Sequence, residues 1–474
     1  MKEFFLKKEV TRIFASGVVL LITVFVVKTF GDASTLTIDE LLSVDENTIV
    51  LAEDEQKAAE LLEDFADATI ENMTAFTPVT GDEIPVEIDS QLMIVDPLVI
   101  NDPVLSDPST GRFSFKHLMT HLSPENTEEF TLNWLSNWLI DVTLNNSISE
   151  ARSRMQSRIL EPWLEASGGE QLDLDLAPFK LLAIANRMDL RQIDGNRQVL
   201  SAGEGRFVFN VVDFESQVPL SFTVIFEYGL RAASVQDVKG WALAWNQLGE
   251  LTVGTPEYND ALADLTDQFV VDGVNSLNQV RTNEISLAIP WELREFGLVD
   301  GVLQQRPVAL TPDTKFNNTF ELASFISDNA AAISNGEAYE IPDSLKGISS
   351  IANFSPWRFS STGVSISEET RHAFALNTCN GCHTTETGTR FLMIDAPSSP
   401  NDPARLAGFL TGTTVNGREF NDLERRKLDF EGLLRELDEA TKVKIKFVEN
   451  ESTGEKTIFR KEFGLKPHMP NFAH

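Results

Sequence analysis

The sequence predicts an α+β N-terminal domain, a mixed or antiparallel sheet with several helices, followed by a small, mainly α-helical C-terminal domain. Three observations predict this. Residues 113–166 carry amphipathic stretches opened by helix-capping residues. From Leu172 the apolar period changes, with a continuous run at 179–185 and alternating or apolar runs at 206–212 and 222–228. These are rich in aromatic and β-branched residues and mark neighbouring strands. Beyond a Pro/Gly/Ser-rich passage at 336–363, helical stretches return. The elements do not alternate as regular βαβ units. The expected boundaries are a signal segment at 1–33, an acidic domain at 34–345, a linker at 346–364 and the C-terminal domain at 365–474.

The chain starts with the layout of an export signal. Lys2, Lys7, Lys8 and Arg12 precede an apolar run from Ile13 to Val27, closed by Lys28. That run is shorter than the roughly 20 apolar residues of a membrane span and suits a signal core. Gly31-Asp32-Ala33 places small residues for cleavage before Ser34. An uncleaved anchor at residues 13–27 is the alternative, and the only membrane contact expected. No cysteine follows the run, which excludes a lipoprotein anchor. Export to the periplasm or beyond, from a Gram-negative cell, is the expected address.

Next come a capping box at Thr37-Ile38-Asp39-Glu40 and an acidic helical stretch at 53–71. Repeated Asp-Pro steps between 78 and 111 favour turns. Helices are expected at 113–122, after Ser123-Pro124, and after Ser147-Ile148-Ser149-Glu150. Following the strands, Ser234-Val235-Gln236-Asp237 and Thr255-Pro256 open two more helices. Strands are expected at 284–289 and 302–310, and a helix at 320–333. In the last part, Ser365-Ile366-Ser367-Glu368 is read as a capping box whose helix runs straight into Cys379. An amphipathic helix at 423–437 and a hairpin of 442–448 with 456–463 follow.

The net charge of −33 is unevenly placed. From Cys379 onward there are 14 Lys+Arg against 15 Asp+Glu, so the preceding residues carry −32. Such an acidic body is the strongly solvated face of an exported protein, or else a surface that repels nucleic acid and anionic lipid and steers a basic partner.

The chemistry lies in Cys379-Asn380-Gly381-Cys382-His383, which contains both cysteines of the chain. C-x-x-C-H is the spacing at which c-type haem is attached, two thiols adding to the porphyrin vinyls and the imidazole reaching the iron. A C-x-x-C disulfide or redox pair is a rival, but nothing nearby resembles a thioredoxin βαβ unit. Zinc is another, but it needs further ligands. Around the motif, residues 365 to about 440 resemble a c-type cytochrome domain in an exported bacterial protein. The helix leading into the motif is similar to that family's first helix, and 423–437 to its terminal helix. The resemblance implies one covalent haem c held by Cys379 and Cys382, with His383 as proximal iron ligand.

Candidate distal ligands are Met393 and Met469, the latter in Met469-Pro470-Asn471-Phe472, which is similar to the surroundings of the family's ligand methionine. Met469 departs from the family order by following the last helix. A histidine or an open sixth position are the other options, and the choice sets the reduction potential and access to the iron. Away from the motif, His117 and His121 share a helix face without the glutamate a metallopeptidase helix needs. Asn186-Arg187-Met188-Asp189, Glu204, Arg206 and Glu227 would form a partly buried charge network if their strands share a sheet.

The leading reading is an exported monohaem electron-transfer protein with a redox protein as its partner. The alternatives are a haem enzyme of peroxidase type with a substrate pocket in the N-terminal domain, and a binding or structural protein stapled by haem. An electron carrier is preferred to an enzyme because c-type haem peroxidases usually need a second haem, and the chain has one motif.

Overall fold

The computed structural model describes residues 11–15, 18–22, 48–50, 85–352, 357–441, 444–449, 456–461 and 464–468. It divides into two compact units, residues 1–78 with 443–462 and residues 79–442 with 463–474. In the first unit, strands Lys444–Glu449 and Lys456–Lys461 form the expected antiparallel hairpin, and the second of them pairs with Thr48–Val50. Thr11–Ala15 and Val18–Ile22 also pair antiparallel. The helices expected at residues 37–40 and 53–71 lie outside the described residues. Among the described residues no helix is long and apolar enough to cross a membrane.

The second unit is built on one eight-stranded antiparallel sheet. Its strands are β1 (Met93–Ile94), β2 (Phe179–Arg187), β3 (Glu204–Val212), β4 (Pro219–Gly229), β5 (Leu277–Glu284), β6 (Trp291–Val299), β7 (Val302–Arg306) and β8 (Ser349–Ala352). Strands β1 to β7 pair in sequence order, and β8 joins along β6. Consecutive strands thus sit side by side, although the β1–β2 and β4–β5 connections are long and carry helices.

Alternation along each strand gives the sheet two unlike faces. Phe207 and Phe209 on β3, Val224 and Phe226 on β4, and Val280 on β5 belong to the main apolar core. They pack with α1 (Phe115–Leu122), α2 (Thr127–Leu135), α3 (Val235–Gln247) and α4 (Pro256–Val270). Phe115 stacks on Phe179 at 4.0 Å, and Trp138 meets Phe296 at 5.1 Å. The other face carries Arg206, Val208, Thr223, Ile225, Glu227, Arg281 and Asn283, mostly polar residues that are nevertheless largely covered.

That cover comes from the C-terminal part of the sequence. Ile394, Ala396, Leu410 and Leu423 pack on Met93, Leu182, Ala185 and Val208, while Phe430, Leu433 and Leu437 join the main core. The expected division into an N-terminal domain and a separate small helical domain is therefore not what the chain does: residues 79–442 form one unit. Nor do residues 346–364 form a linker. Residues 349–352 are strand β8, and Trp357 and Phe359 are buried with Leu322 of α5 (Phe320–Asp328), Ile333 of α6 (Ala330–Asn335) and Phe374 of α7 (Glu368–Leu376). The composition suggested a spacer, but its few large apolar side chains bury area worth about 1.5–3 kcal/mol each, enough to anchor the passage.

Several local expectations move. Ser147–Ser149 is a strand, not a cap: Asn145 and Asn146 take φ of 52° and 58°, the left-handed pair that closes a tight hairpin with Val142–Leu144. Helix α2 begins after Asn126 instead of Ser123. Strand β5 ends at Glu284, where a strand was expected to start. The cap of α7 is Ser367, whose hydroxyl accepts from the Thr370 N–H at 3.0 Å. The capping box at Ser234 and Asp237 forms as read.

Candidate functional site

Helix α7 does not run into the first cysteine. It stops at Asn377, and Thr378 starts a new turn, α8 (Cys379–Cys382). Thr378 caps that turn by accepting from the Gly381 N–H at 3.2 Å, and it accepts from the Trp357 indole at 2.8 Å. The Cys379 N–H donates to Thr311 Oγ1 at 3.0 Å, and Asn380 donates to the Ile351 carbonyl at 3.2 Å. The motif is thus pinned to β8 and to the turn before α5. Gly381 is required by a close approach: a Cβ there would overlap the Ala375 carbonyl oxygen and stand 2.6 Å from its carbon.

Both cysteines are buried free thiols. Burial pushes the Cys379 thiol up to about 11 and the Cys382 thiol well above its usual range. Protonated thiols are poor nucleophiles for exchange and poor zinc ligands. Among the described residues no group of three or more His, Cys, Asp or Glu side chains is arranged to hold a metal ion.

His383 follows directly and is held on two sides. Its Nδ1 hydrogen-bonds the Phe391 carbonyl, and the Phe391 N–H returns a bond to the His383 carbonyl at 3.0 Å. A carbonyl only accepts, so Nδ1 carries the proton and Nε2 the lone pair of the neutral ring. Burial keeps the ring neutral, lowering its pKa to about 4. Trp291 of β6 stacks on the imidazole at 5.2 Å and 24°, and on Phe391 at 5.8 Å. Phe391 itself sits at φ 71°, a left-handed conformation costing about 1–2 kcal/mol for a non-glycine residue. Such strain survives where surrounding contacts over-determine it.

His383 borders a cavity of about 80 Å³ between the polar sheet face and the C-terminal cover. Met393, Ile394, Phe409 and Leu410 form one wall. Arg187, Arg206, Glu227, Arg281 and Asn283 of the sheet, with Arg426 of α9 (Asp422–Thr441), form the other. Arginines of this wall lie close enough to the thiols to favour their ionised forms, Arg281 for Cys379 and Arg426 and Arg187 for Cys382, but burial outweighs them.

The charge network expected across the strands is present. Arg206 lies 2.6 Å from Glu204 and 3.3 Å from Glu227, and Arg281 lies 3.3 Å from Glu227 and 3.0 Å from Glu295. Arg187 pairs with Asp189 at 2.8 Å, which Arg425 reaches at the same distance. Asn186 instead bonds backbone, donating to the Gln91 carbonyl at 3.1 Å. Arg281, Arg426, Trp291 and Phe391 were not singled out in the sequence. The alternation of Arg281 and Asn283 with Val280 and Thr282 was the available signal for the first of them, hidden by the misplaced start of the strand.

The other sequence candidates fall elsewhere. Met469 lies outside the described residues. His117 and His121 do face each other, ring centres 4.6 Å apart, but beside Asp267 and not at the cavity.

Two thiols, a neutral imidazole with its lone pair on Nε2 and a nearby thioether are the donor types a covalent haem uses, but neither cysteine lines the cavity and its arginines are paired with carboxylates. The space is smaller than the roughly 300–1,000 Å³ of ligand pockets. A macrocycle does not fit the cavity in this arrangement of the wall and the sheet. No family model, curated protein or solved structure matches this chain.

Proposed function

We propose that this is an exported monohaem c-type protein that transfers electrons, with haem bound through Cys379 and Cys382 and ligated by His383. The observation that carries the reading is the sharing of one cavity by His383, a neutral imidazole with its lone pair on Nε2, and the Met393 thioether, beside two free thiols. A bound haem supplies one-electron chemistry at its iron. The chain's own residues do the rest. The Phe391 carbonyl fixes the tautomer and plane of His383, as outer hydrogen bonds do for metal-ligating histidines. Trp291 stacks on the imidazole, which is buried. Met393 borders the same cavity as His383 and would be the second side chain to hold the iron, where a thioether would raise the potential towards that of a carrier. The Lys2–Lys28 export layout supports delivery to the periplasm or beyond, where such haem is attached, and the acidic body favours a basic redox partner.

The test is expression in a host that matures c-type cytochromes in its periplasm. Haem should resist acidic acetone and give sharp α and β bands on reduction, and Met393→Ala should abolish the near-infrared sulfur–iron band while Met469→Ala leaves it. A preparation without covalent haem refutes the proposal. A high-spin iron that reacts with peroxide refutes the carrier role in favour of an enzyme.

A further inference from the structure

A second set of buried charges lies on the apolar face of the sheet, among Phe222, Val280 and Phe296. Glu284 ends β5, and Glu292 stands directly opposite it on β6. Both carboxylates and Arg294 are 1% exposed or less. Two carboxylates side by side away from water repel each other, and burial penalises the charge on each. Either the neighbouring arginines hold both ionised, or one takes up a proton.

The hydrogen-bond partners show which one. Glu292 accepts from Arg152 Nε at 3.1 Å and NH2 at 2.5 Å, from Arg294 NH2 at 3.1 Å and from the Ser149 hydroxyl at 2.6 Å. Among the described residues, Glu284 accepts hydrogen bonds from neutral donors alone. These are the Trp138 indole, 2.9 and 2.8 Å from its two oxygens, and the Thr282 hydroxyl at 3.1 Å. Arg294 Nε stands 3.2 Å from Glu284, but its N–H makes no hydrogen bond. The other arms of that guanidinium are engaged by the Asn137 and Glu150 carbonyls and by Glu292. The charged groups facing Glu284 are thus Arg294 and Glu292 from β6 and Arg152 from the foot of the 142–149 hairpin. Strand β4 brings Phe222 opposite it, and β8 brings the neutral Ser349 hydroxyl to Glu292. Burial, with repulsion from Glu292, outweighs the arginines and pushes the Glu284 pKa up to about 7. Burial acts on Glu292 too, but there Arg294 and Arg152 win and hold its pKa below the usual range.

We propose that Glu284 is a buried proton-binding site, its carboxyl neutral in the folded protein at mildly acidic pH, where exposed carboxyls are ionised. This goes beyond the haem reading and does not depend on it. With the proton on Oε1, the acid donates to Thr282 Oγ1, and Oε2 still accepts from Trp138. The charge it sheds or gains also bears on the motif, because β6 carries Glu292 and Arg294 on one face and Trp291, stacked on His383, on the other. The folded state holds this proton where the unfolded chain has released it. The stability it contributes is therefore complete below about 4.5 and is lost as pH rises through about 7.

The test uses the full chain. Infrared difference spectra of wild type against Glu284→Gln at pH 6 in D2O should show one protonated-carboxyl C=O band, which fades as pH rises through about 7. Absence of that band overturns the proposal. Chemical unfolding supplies a second reading. Relative to Glu284→Gln, the wild-type folding constant should fall by up to about tenfold per pH unit between 4.5 and 7, and parallel pH curves overturn the proposal. If Glu284→Gln does not accumulate, Trp138→Phe assigns the band instead. Loss of the indole donor should shift the C=O stretch upward, and an unmoved band overturns the assignment to Glu284.

Discussion

Gly381, the third residue of the Cys379–His383 motif, is the most direct place to perturb this protein. A methyl group added there would overlap the Ala375 carbonyl oxygen, lie 2.6 Å from the Ala375 carbon and 2.8 Å from Thr378 Oγ1. None of these is the far end of a flexible side chain. Ala375 closes α7, and Thr378 is held by the Ala375 carbonyl at 2.8 Å and the Trp357 indole. Contacts of this kind need about 3.4 Å for comfort, so relieving the overlap with the Ala375 oxygen moves α8 by more than an ångström or breaks the Thr378 cap. Overpacking a close-packed core costs about 1–3 kcal/mol, and loss of a cap about 1 kcal/mol more. Gly381→Ala should therefore destabilise the unit by about 3 kcal/mol. With a urea slope of about 3 kcal/mol/M, the unfolding midpoint should fall by about 1 M without a change in slope. Equilibrium unfolding followed by tryptophan fluorescence measures this, since Trp291 and Trp357 flank the motif. A midpoint within about 0.2 M of wild type would show that α8 is free to shift, and the pinning argued for Cys379 and Cys382 would be wrong.

Two further perturbations address the charges. Arg294 is fully buried, 3.2 Å from Glu284 and 3.1 Å from Glu292, and donates to the Glu150 carbonyl at 2.8 Å. Arg294→Met should cost about 3–5 kcal/mol by leaving two buried carboxylates with less compensation. Chemical denaturation at pH 7 checks this, and a loss below 1 kcal/mol would contradict it. Glu386 works in the opposite sense: burial alone would raise its pKa, but hydrogen bonds from His372 and Arg371 hold it down at about 2. A carboxyl depressed in the folded state adds stability above its unfolded value, near 4.5, and loses it as pH falls towards 2. Thermal melts of Glu386→Gln should show a flatter acid limb than wild type across that window, and parallel curves would rule the contribution out.

What was legible in the sequence follows from how local each signal is. The strands at 204–212 and 219–229 announce themselves because aromatic and β-branched residues repeat at the pleat period, and the strand at 179–187 because its apolar run is continuous. Asn145 and Asn146 overrode the apparent cap at Ser147 because two adjacent left-handed residues make a hairpin turn. The cysteine spacing is equally local, since three residues of chain set which side chains share one turn.

The sequence by itself therefore determined the kind of elements, the charge asymmetry and the Cys379, Cys382 and His383 donor set. Tertiary structure alone decided that the motif belongs to the body and not to a separate domain, because Ile394, Ala396, Leu410 and Leu423 bury their apolar surface on Met93, Leu182, Ala185 and Val208 while Phe430, Leu433 and Leu437 join the main core. It also decided the surroundings of the site. Trp291 lies 92 residues before His383, and Arg281 and Arg426 lie far from it on opposite sides in the sequence. Their convergence on one cavity depends on strand register and helix docking, which are set by the whole core and by no spacing along the chain.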